Sequence, residues 1–213
     1  MKNKDFHILI PARKGSKGFP LKNRKLFKYT VDTIPEQFKH LVYVSTDDEV
    51  ISQDSIDNGI NVIERPPHLA QDETSMKDVL KHFIEEKNIK TNVILLYLTY
   101  PQRTWQDIET IYDIFLNSGQ DSLACSEKVT EHPYLCFYKK DNNKGKLLID
   151  HKLYRRQDYP ECFKLSMFVA CYAPEAVEDL HCLMFKEDTY FHQLTSHKVD
   201  VDYLDQFLAV SDK

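Results

Sequence analysis

Three features of the sequence predict a doubly wound α/β fold with a mostly parallel sheet. Short apolar runs at 6–10, 41–46 and 92–97 read as buried strands, the last of them near the centre of the sheet. Between these runs lie stretches whose apolar residues follow helical spacing. The strand–helix rhythm then breaks after Ser122, where strand-like segments follow one another. The β-rich part, about 129–165, is too small to stand alone. It is expected to project as an arm from a single domain over 1–213, or to join a partner subunit.

Taken in order, the run at 6–10 leads into a loop, 11–23, that holds two of the five glycines in the chain. The run at 41–46 ends at Asp47 and Asp48, which suit the start of a helix over about 48–57 that Asn58-Gly59 stops. Residues 61–64 read as a short third strand, followed by a loop from Arg65-Pro66-Pro67. From Thr74 an amphipathic helix places Val79, Leu80, Phe83 and Ile84 on one side. The central strand at 92–97 runs into a polar loop, 99–104. A helix over about 105–117 then carries Ile108, Ile111, Tyr112 and Phe115, with Gly119 after its end. Segments 123–129 and 134–140 read as strands, 141–145 as a turn and 147–149 as a strand pairing back. A buried strand at 167–172, a short helix from Ala173, a last strand at 198–202 and a closing helix over about 203–210 complete the chain.

Composition narrows the function classes. The 28 basic residues are outnumbered by 33 acidic ones, a net charge of −5, which argues against a nucleic-acid binder. No stretch approaches the length of a membrane span. Residues 1–5 are charged and the apolar run behind them is short, so no secretory leader is expected. The five cysteines, Cys125, Cys136, Cys162, Cys171 and Cys182, are widely spaced and form no C-x-x-C pair. That pattern suits reduced thiols and a cytoplasmic protein.

Against this acidic body the first loop stands out. No Asp or Glu occurs between Asp5 and Asp32, while Arg13, Lys14, Lys17, Lys22, Arg24, Lys25 and Lys28 all fall there. A basic, glycine-bearing loop at the end of a first strand suits a polyphosphate held by backbone N–H groups and cations. The spacing from Gly15 to Gly18 fits neither G-x-x-x-x-G-K-[ST] nor G-x-G-x-x-G, so neither an ATPase loop nor a dinucleotide fold is expected. Phosphates would instead meet the amides of Gly15 and Gly18 together with Arg13, Lys17 and Lys22. Near the other end, Val199-Asp200-Val201-Asp202 would place two carboxylates on one face of a strand. Such oxygen ligands suit Mg²⁺ bound jointly with substrate phosphates. The alternative is an exposed strand end where Asp202 caps the closing helix.

These two motifs carry a resemblance. Residues 12–23 resemble the N-terminal signature of the CMP-acylneuraminate synthetases, cytidylyltransferases that activate sialic acid and related nonulosonic acids. Further blocks follow in order: Val44-Ser45-Thr46-Asp47; Arg65-Pro66 with Leu69-Ala70 and Asp72; Leu95-Leu96 with Thr99, Pro101, Arg103 and Thr104; Glu131-His132-Pro133; Arg156-Gln157 with Pro160; and Asp200-x-Asp202. The resemblance implies a nucleotide-diphospho-sugar transferase-like fold, CTP and a small acidic sugar as substrates, Mg²⁺, and a homodimer formed through the arm. It further implies that Arg13, Ser16, Lys17 and Lys22, with the Gly15 backbone, handle the triphosphate. Asn23 and Arg65 would face the cytidine, and Asp200 and Asp202 the metal. Asp72 falls on the nucleotide side and can equally cap the helix that follows it. Tyr97, Tyr100, Arg103, Arg156, Gln157 and Ser166 fall on the acceptor side, Arg156 serving its own subunit or its partner.

The departures from the family pattern fall on that acceptor side. Tyr97 and Leu98 replace glutamine and proline, and Tyr100 replaces serine. A lysine is missing from Tyr134-Leu135-Cys136, and Arg-x-Asn-Gly becomes Lys164-Leu165-Ser166-Met167. The expected function is a cytidylyltransferase for an acidic sugar other than ordinary N-acetylneuraminate. Two alternatives are a same-fold nucleotidyltransferase for a different, phosphorylated acceptor and a non-catalytic nucleotide-binding paralogue.

Overall fold

The computed structural model describes residues 5–16 and 18–211. Strand β1 (Phe6–Pro11) sets the layering. Phe6, Ile8 and Ile10 face one apolar layer and Leu9 faces another, the period-two alternation of a strand buried on both sides. Strands β2 (Val42–Thr46), β3 (Asn61–Glu64) and β4 (Asn92–Leu95) run parallel to it. Strands β5 (Ser122–Lys128), β8 (Phe163–Tyr172) and β9 (Tyr190–Gln193) complete a seven-stranded sheet in the order β3-β2-β1-β4-β8-β5-β9. Only β8 runs against its neighbours β4 and β5. Two short strands, β6 (Phe137–Lys139) and β7 (Gly145–Leu147), pair with each other outside this sheet. The doubly wound, mostly parallel sheet expected from sequence is the one observed.

Helices α1 (Lys22–Val31), α2 (Glu49–Asp57) and α4 (Trp105–Ser118) contribute Leu26, Phe27, Val31, Ile51, Ile108, Ile111, Tyr112 and Phe115 to the first layer. Helix α3 (Met76–Glu86) contributes Leu80 and Phe83 to the second. Local sequence starts and stops these helices. Asp48 accepts from the Val50 N–H, Ser75 from Asp78 and Thr104 from Asp107 in a capping box, while Gly119 ends α4 in the left-handed region.

Several expectations are corrected. Residues 198–202 are not a strand; Val201 is buried, and its N–H donates to Thr99 O at 2.8 Å, but no ladder forms. The apolar alternation there anchors a loop rather than a sheet edge. The last strand is β9, whose half-exposed Tyr190 and Phe191 blur the period of two. Helix α1 begins at Lys22, inside the stretch 11–23 expected as a loop. Within the arm, residues 133–135 form a 3₁₀ turn, so β6 is shorter than expected and β7 begins at Gly145. Of the five cysteines, only Cys125 and Cys171 are buried.

Asp48 ties α1 to α2, because its carboxylate also accepts from Arg24 Nε at 2.8 Å. Burial pushes its pKa up, but the Arg24 bond and the Val50 N–H outweigh burial and hold it below the ordinary 3.8. A carboxyl depressed on folding contributes stability above its unfolded pKa and loses it as pH falls through the folded value. Asp48→Ala is expected to lower stability by about 1–2 kcal/mol at pH 7 in urea unfolding. Its deficit should shrink as pH falls below 3.8.

Candidate active site

In doubly wound sheets, ligands sit at the carboxyl ends of strands where the strand order reverses. Here that point lies between β1 and β4, since β2 follows on one side of β1 and β4 lies on the other. A cleft of about 190 Å³ opens there. Its walls are Pro11, Arg13, Gly15 and Ser16 after β1, Lys22 and Asn23 at the start of α1, Arg65 after β3, Met76 on α3, and Tyr97, Leu98 and Thr99 after β4.

The loop after β1 is held from below. Ala12 N–H donates to Ser45 O, the Thr46 hydroxyl donates to Ala12 O, and Asn23 Nδ2 donates to Arg13 O at 2.8 Å. Gly15 has φ +86°, a conformation that favours glycine. Leu21 takes φ +58°, and α1 begins there without a side-chain cap and with no acid in its first turn. The Lys22 N–H at that helix start donates to Phe19 O at 3.1 Å, and no carboxylate offsets the positive end of the helix in its first turn. Lys17 lies outside the described residues.

The C-terminal segment closes the cleft from the far side. A Cβ on Gly18 would lie 3.1 Å from Asp202 O and 3.4 Å from the Tyr203 ring, so only glycine permits this approach without a shift. Lys22 Nζ meets Asp202 Oδ1 at 2.7 Å. Asp202 does not cap the following helix, α5 (Leu204–Ser211), with its side chain. Instead Gln206 Oε1 reaches back to accept the N–H groups of Asp202 and Tyr203. Asp200 accepts from the Tyr100 hydroxyl at 3.1 Å. Among the described residues no group of three or more His, Cys, Asp or Glu side chains could hold a metal ion.

Two arginines with different surroundings line the cleft. Arg13 Nη2 pairs with Asp72 Oδ1 at 2.7 Å, so Asp72 reaches the site through Arg13. Arg65 is buried, donating to the Ser45 hydroxyl at 3.1 Å and carbonyl at 2.9 Å. Burial, opposed by Asp47 and reinforced by Arg13, lowers its pKa to about 10. It remains a cation at neutral pH.

The acceptor-side residues scatter. Tyr97 lines the cleft half-buried, its phenol pushed up by burial. Tyr100 is 5% exposed and points inward rather than toward an acceptor. Arg103 is a correction: it does not face the cleft. Its guanidinium is buried and donates to Phe168 O at 2.7 Å and Tyr97 O at 3.0 Å, bolting the loop after β4 to β8. The motif that carries it placed it on the acceptor side, because sequence cannot show which arginine is spent on carbonyls. Ser166 is buried, and its hydroxyl has no hydrogen-bond partner among the described residues. Arg156 and Gln157 lie on an exposed 3₁₀ turn of the arm, Arg156–Asp158, away from the cleft walls. Met76 and Thr99 are cleft residues that sequence reading missed. The Ser75 cap, which fixes where α3 starts, was the available signal for Met76.

Residues 7–199 match the family model described as cytidylyltransferase. An N-acylneuraminate cytidylyltransferase of Streptococcus agalactiae serotype V is 28% identical over 215 residues, covering 95% of this chain and 51% of that protein. An N-acylneuraminate cytidylyltransferase A of Danio rerio is 28% identical over 132 residues, covering 57% of this chain and 30% of that protein. The chain thus spans about half the length, or less, of these curated relatives. Among solved structures, a CMP:2-keto-3-deoxy-manno-octonic acid synthetase complexed with CTP aligns with TM-score 0.65 at 14% identity, covering 99% of this chain and all of that one. A 4-diphosphocytidyl-2C-methyl-D-erythritol synthase from Anaerococcus prevotii aligns with TM-score 0.61 at 13% identity, covering 99% and 96%. At these identities the structural likeness concerns the fold.

Arg103→Ala would strand two buried carbonyls at the base of the cleft. The expected loss is about 3 kcal/mol in urea unfolding. Arg103→Lys should restore little of it, since a single ammonium does not reproduce the guanidinium fork.

Proposed function

We propose that this chain, which belongs to the cytidylyltransferase family, transfers the cytidylyl group of CTP to a small acidic sugar and releases pyrophosphate. The observation that carries the reading is the cleft at the β1/β4 switch point, where Arg13, Lys22 and Arg65 converge with the Gly15 turn and the start of α1. Three cations at the positive end of a helix suit a triphosphate. The relatives' names and the CTP-bound structural neighbour support the same substrates.

In the proposed reaction a hydroxyl of the acceptor, the anomeric one in an ulosonic acid, attacks the α-phosphorus and the bond to the β-phosphate oxygen breaks. Catalysis of this kind rests on positioning and charge neutralisation more than on covalent help from the protein. Arg13 and Lys22, with Lys17, would take up the charge that develops on the leaving pyrophosphate. Asn23 holds the loop through Arg13 O, and with Arg65 it would stand beside the base.

Asp200 and Asp202 are the carboxylates proposed for a divalent metal, Mg²⁺ by donor type. Both are exposed oxygen donors at the mouth of a cationic cleft, and two carboxylates suit an ion whose other ligands are substrate phosphates and water. When bound, such an ion supplies Lewis-acid charge withdrawal at the α-phosphate.

The arm is proposed to cover a second copy of the chain. Phe137, Tyr138 and Tyr154 are 63%, 61% and 88% exposed, and Leu147, Leu148 and Ile149 stand out beside them. An apolar patch of this extent, on a two-stranded ribbon with little core of its own, needs a partner. Sedimentation is expected to give a dimer mass, and Phe137→Asp with Leu148→Asp a monomer that keeps its far-ultraviolet circular dichroism.

Pyrophosphate release with CTP and a panel of ulosonic acids tests the central reading. Turnover is expected with at least one acidic sugar, with N-acetylneuraminate a poor acceptor because the acceptor-side residues differ from the family pattern. Asp202→Asn should lower turnover on the order of 100-fold or more without unfolding the protein. CTP binding without release on any acceptor would leave a nucleotide-binding protein and reject the transferase reading.

A further inference from the structure

Asp200 sits in an extended segment with no sheet ladder to hold it, and its side chain is exposed. The adjacent backbone is fixed by the Val201 N–H bond to Thr99 O, but that bond leaves the carboxylate free to rotate. What restrains the carboxylate is Tyr100. The phenol is buried, edge-on to the Phe168 ring at 5.6 Å. Its hydroxyl donates to Asp200 Oδ2 at 3.1 Å and accepts from the Met167 N–H of β8 at 3.2 Å. The Met167 N–H occupies a lone pair of the hydroxyl from the sheet side, which leaves its proton for Asp200.

We infer that Tyr100 is a positioning residue that tethers Asp200 to the backbone of β8 and orients its carboxylate for the metal. This rests on the reading of Asp200 and Asp202 as metal carboxylates. Tyr100 is not an acceptor contact: it faces the core and acts through Asp200. Orienting partners of this kind are worth on the order of 10-fold or more in metal affinity.

The test uses the full chain, with Mn²⁺ and CTP as probes. Mn²⁺ binding in the presence of CTP, read from free Mn²⁺ by electron paramagnetic resonance, is expected to weaken on the order of 10-fold in Tyr100→Phe. CTP affinity measured without metal should stay at the wild-type value. A folded Tyr100→Phe protein that binds Mn²⁺ like wild type, while Asp200→Asn binds it weakly, overturns the tether alone. Unchanged Mn²⁺ binding in both variants overturns the metal reading and the tether with it. The wild-type protein decides independently of whether Tyr100→Phe folds. The chain has four methionines, so ¹⁵N-methionine labelling isolates the Met167 amide. Adding Mg²⁺ to the CTP complex should shift that amide proton through the Tyr100 oxygen, and an amide blind to Mg²⁺ overturns the proposal.

Discussion

The site depends on one backbone hydrogen bond between distant parts of the chain, from Val201 N–H to Thr99 O. It pins the segment before α5 to the end of β4, with the Val201 side chain fully buried beneath it. From that point Asp200 and Asp202 emerge on either side of Val201. Their surroundings follow from the anchor: Asp200 falls within reach of Tyr100 behind β4, and Asp202 within reach of Lys22 at the start of α1. The backbone of Asp202 lies so near Gly18 that a side chain there would force one of the two to shift. Lys22 and Asp202, 180 positions apart, are thereby held in one place.

Charge in the cleft is arranged in exchangeable pairs. Arg13 is met by Asp72, Lys22 by Asp202, and the Lys14 N–H by Asp47 at 2.5 Å. Arg13 and Asp72 are each about one-third exposed, and Asp202 is 59% exposed. Pairs this wet are worth about 0–1 kcal/mol, while hydrogen bonds to a charged phosphate are worth about 1.5–3 kcal/mol each. A polyphosphate entering the cleft, as proposed, would displace the carboxylates at little cost. Arg65 differs, because its fork is already committed to Ser45. It serves as a fixed positive wall, whereas Arg13 and Lys22 can move.

The sheet was legible from sequence because its central strands are apolar on both faces and its helices open with ordinary caps at Asp48, Ser75 and Thr104. What could not be read was which polar side chains turn inward. Arg103 and Tyr100 lie in a loop of polar residues, and nothing in their spacing distinguishes a guanidinium bound to two carbonyls from one facing solvent. The stretch 198–202 misled for a related reason. Alternating valines and aspartates look like a strand whether the valines pack in a ladder or, as here, plug a loop into the core. The basic loop concealed the start of α1, since Leu21 enters the helix from the left-handed region with no polar cap to announce it.

The two ends of the arm meet as neighbours in the sheet. Lys128, the last residue of β5, pairs with Phe163, the first of β8, and Val129 N–H donates to Cys162 O just beyond. The chain thus leaves the sheet and returns to it through a closed doorway, and everything between is an excursion that the sheet does not register. Evolution can lengthen, shorten or rewrite such an excursion without moving a single strand. The cleft between β1 and β4 and the arm beyond β5 can then change at independent rates on one unaltered scaffold.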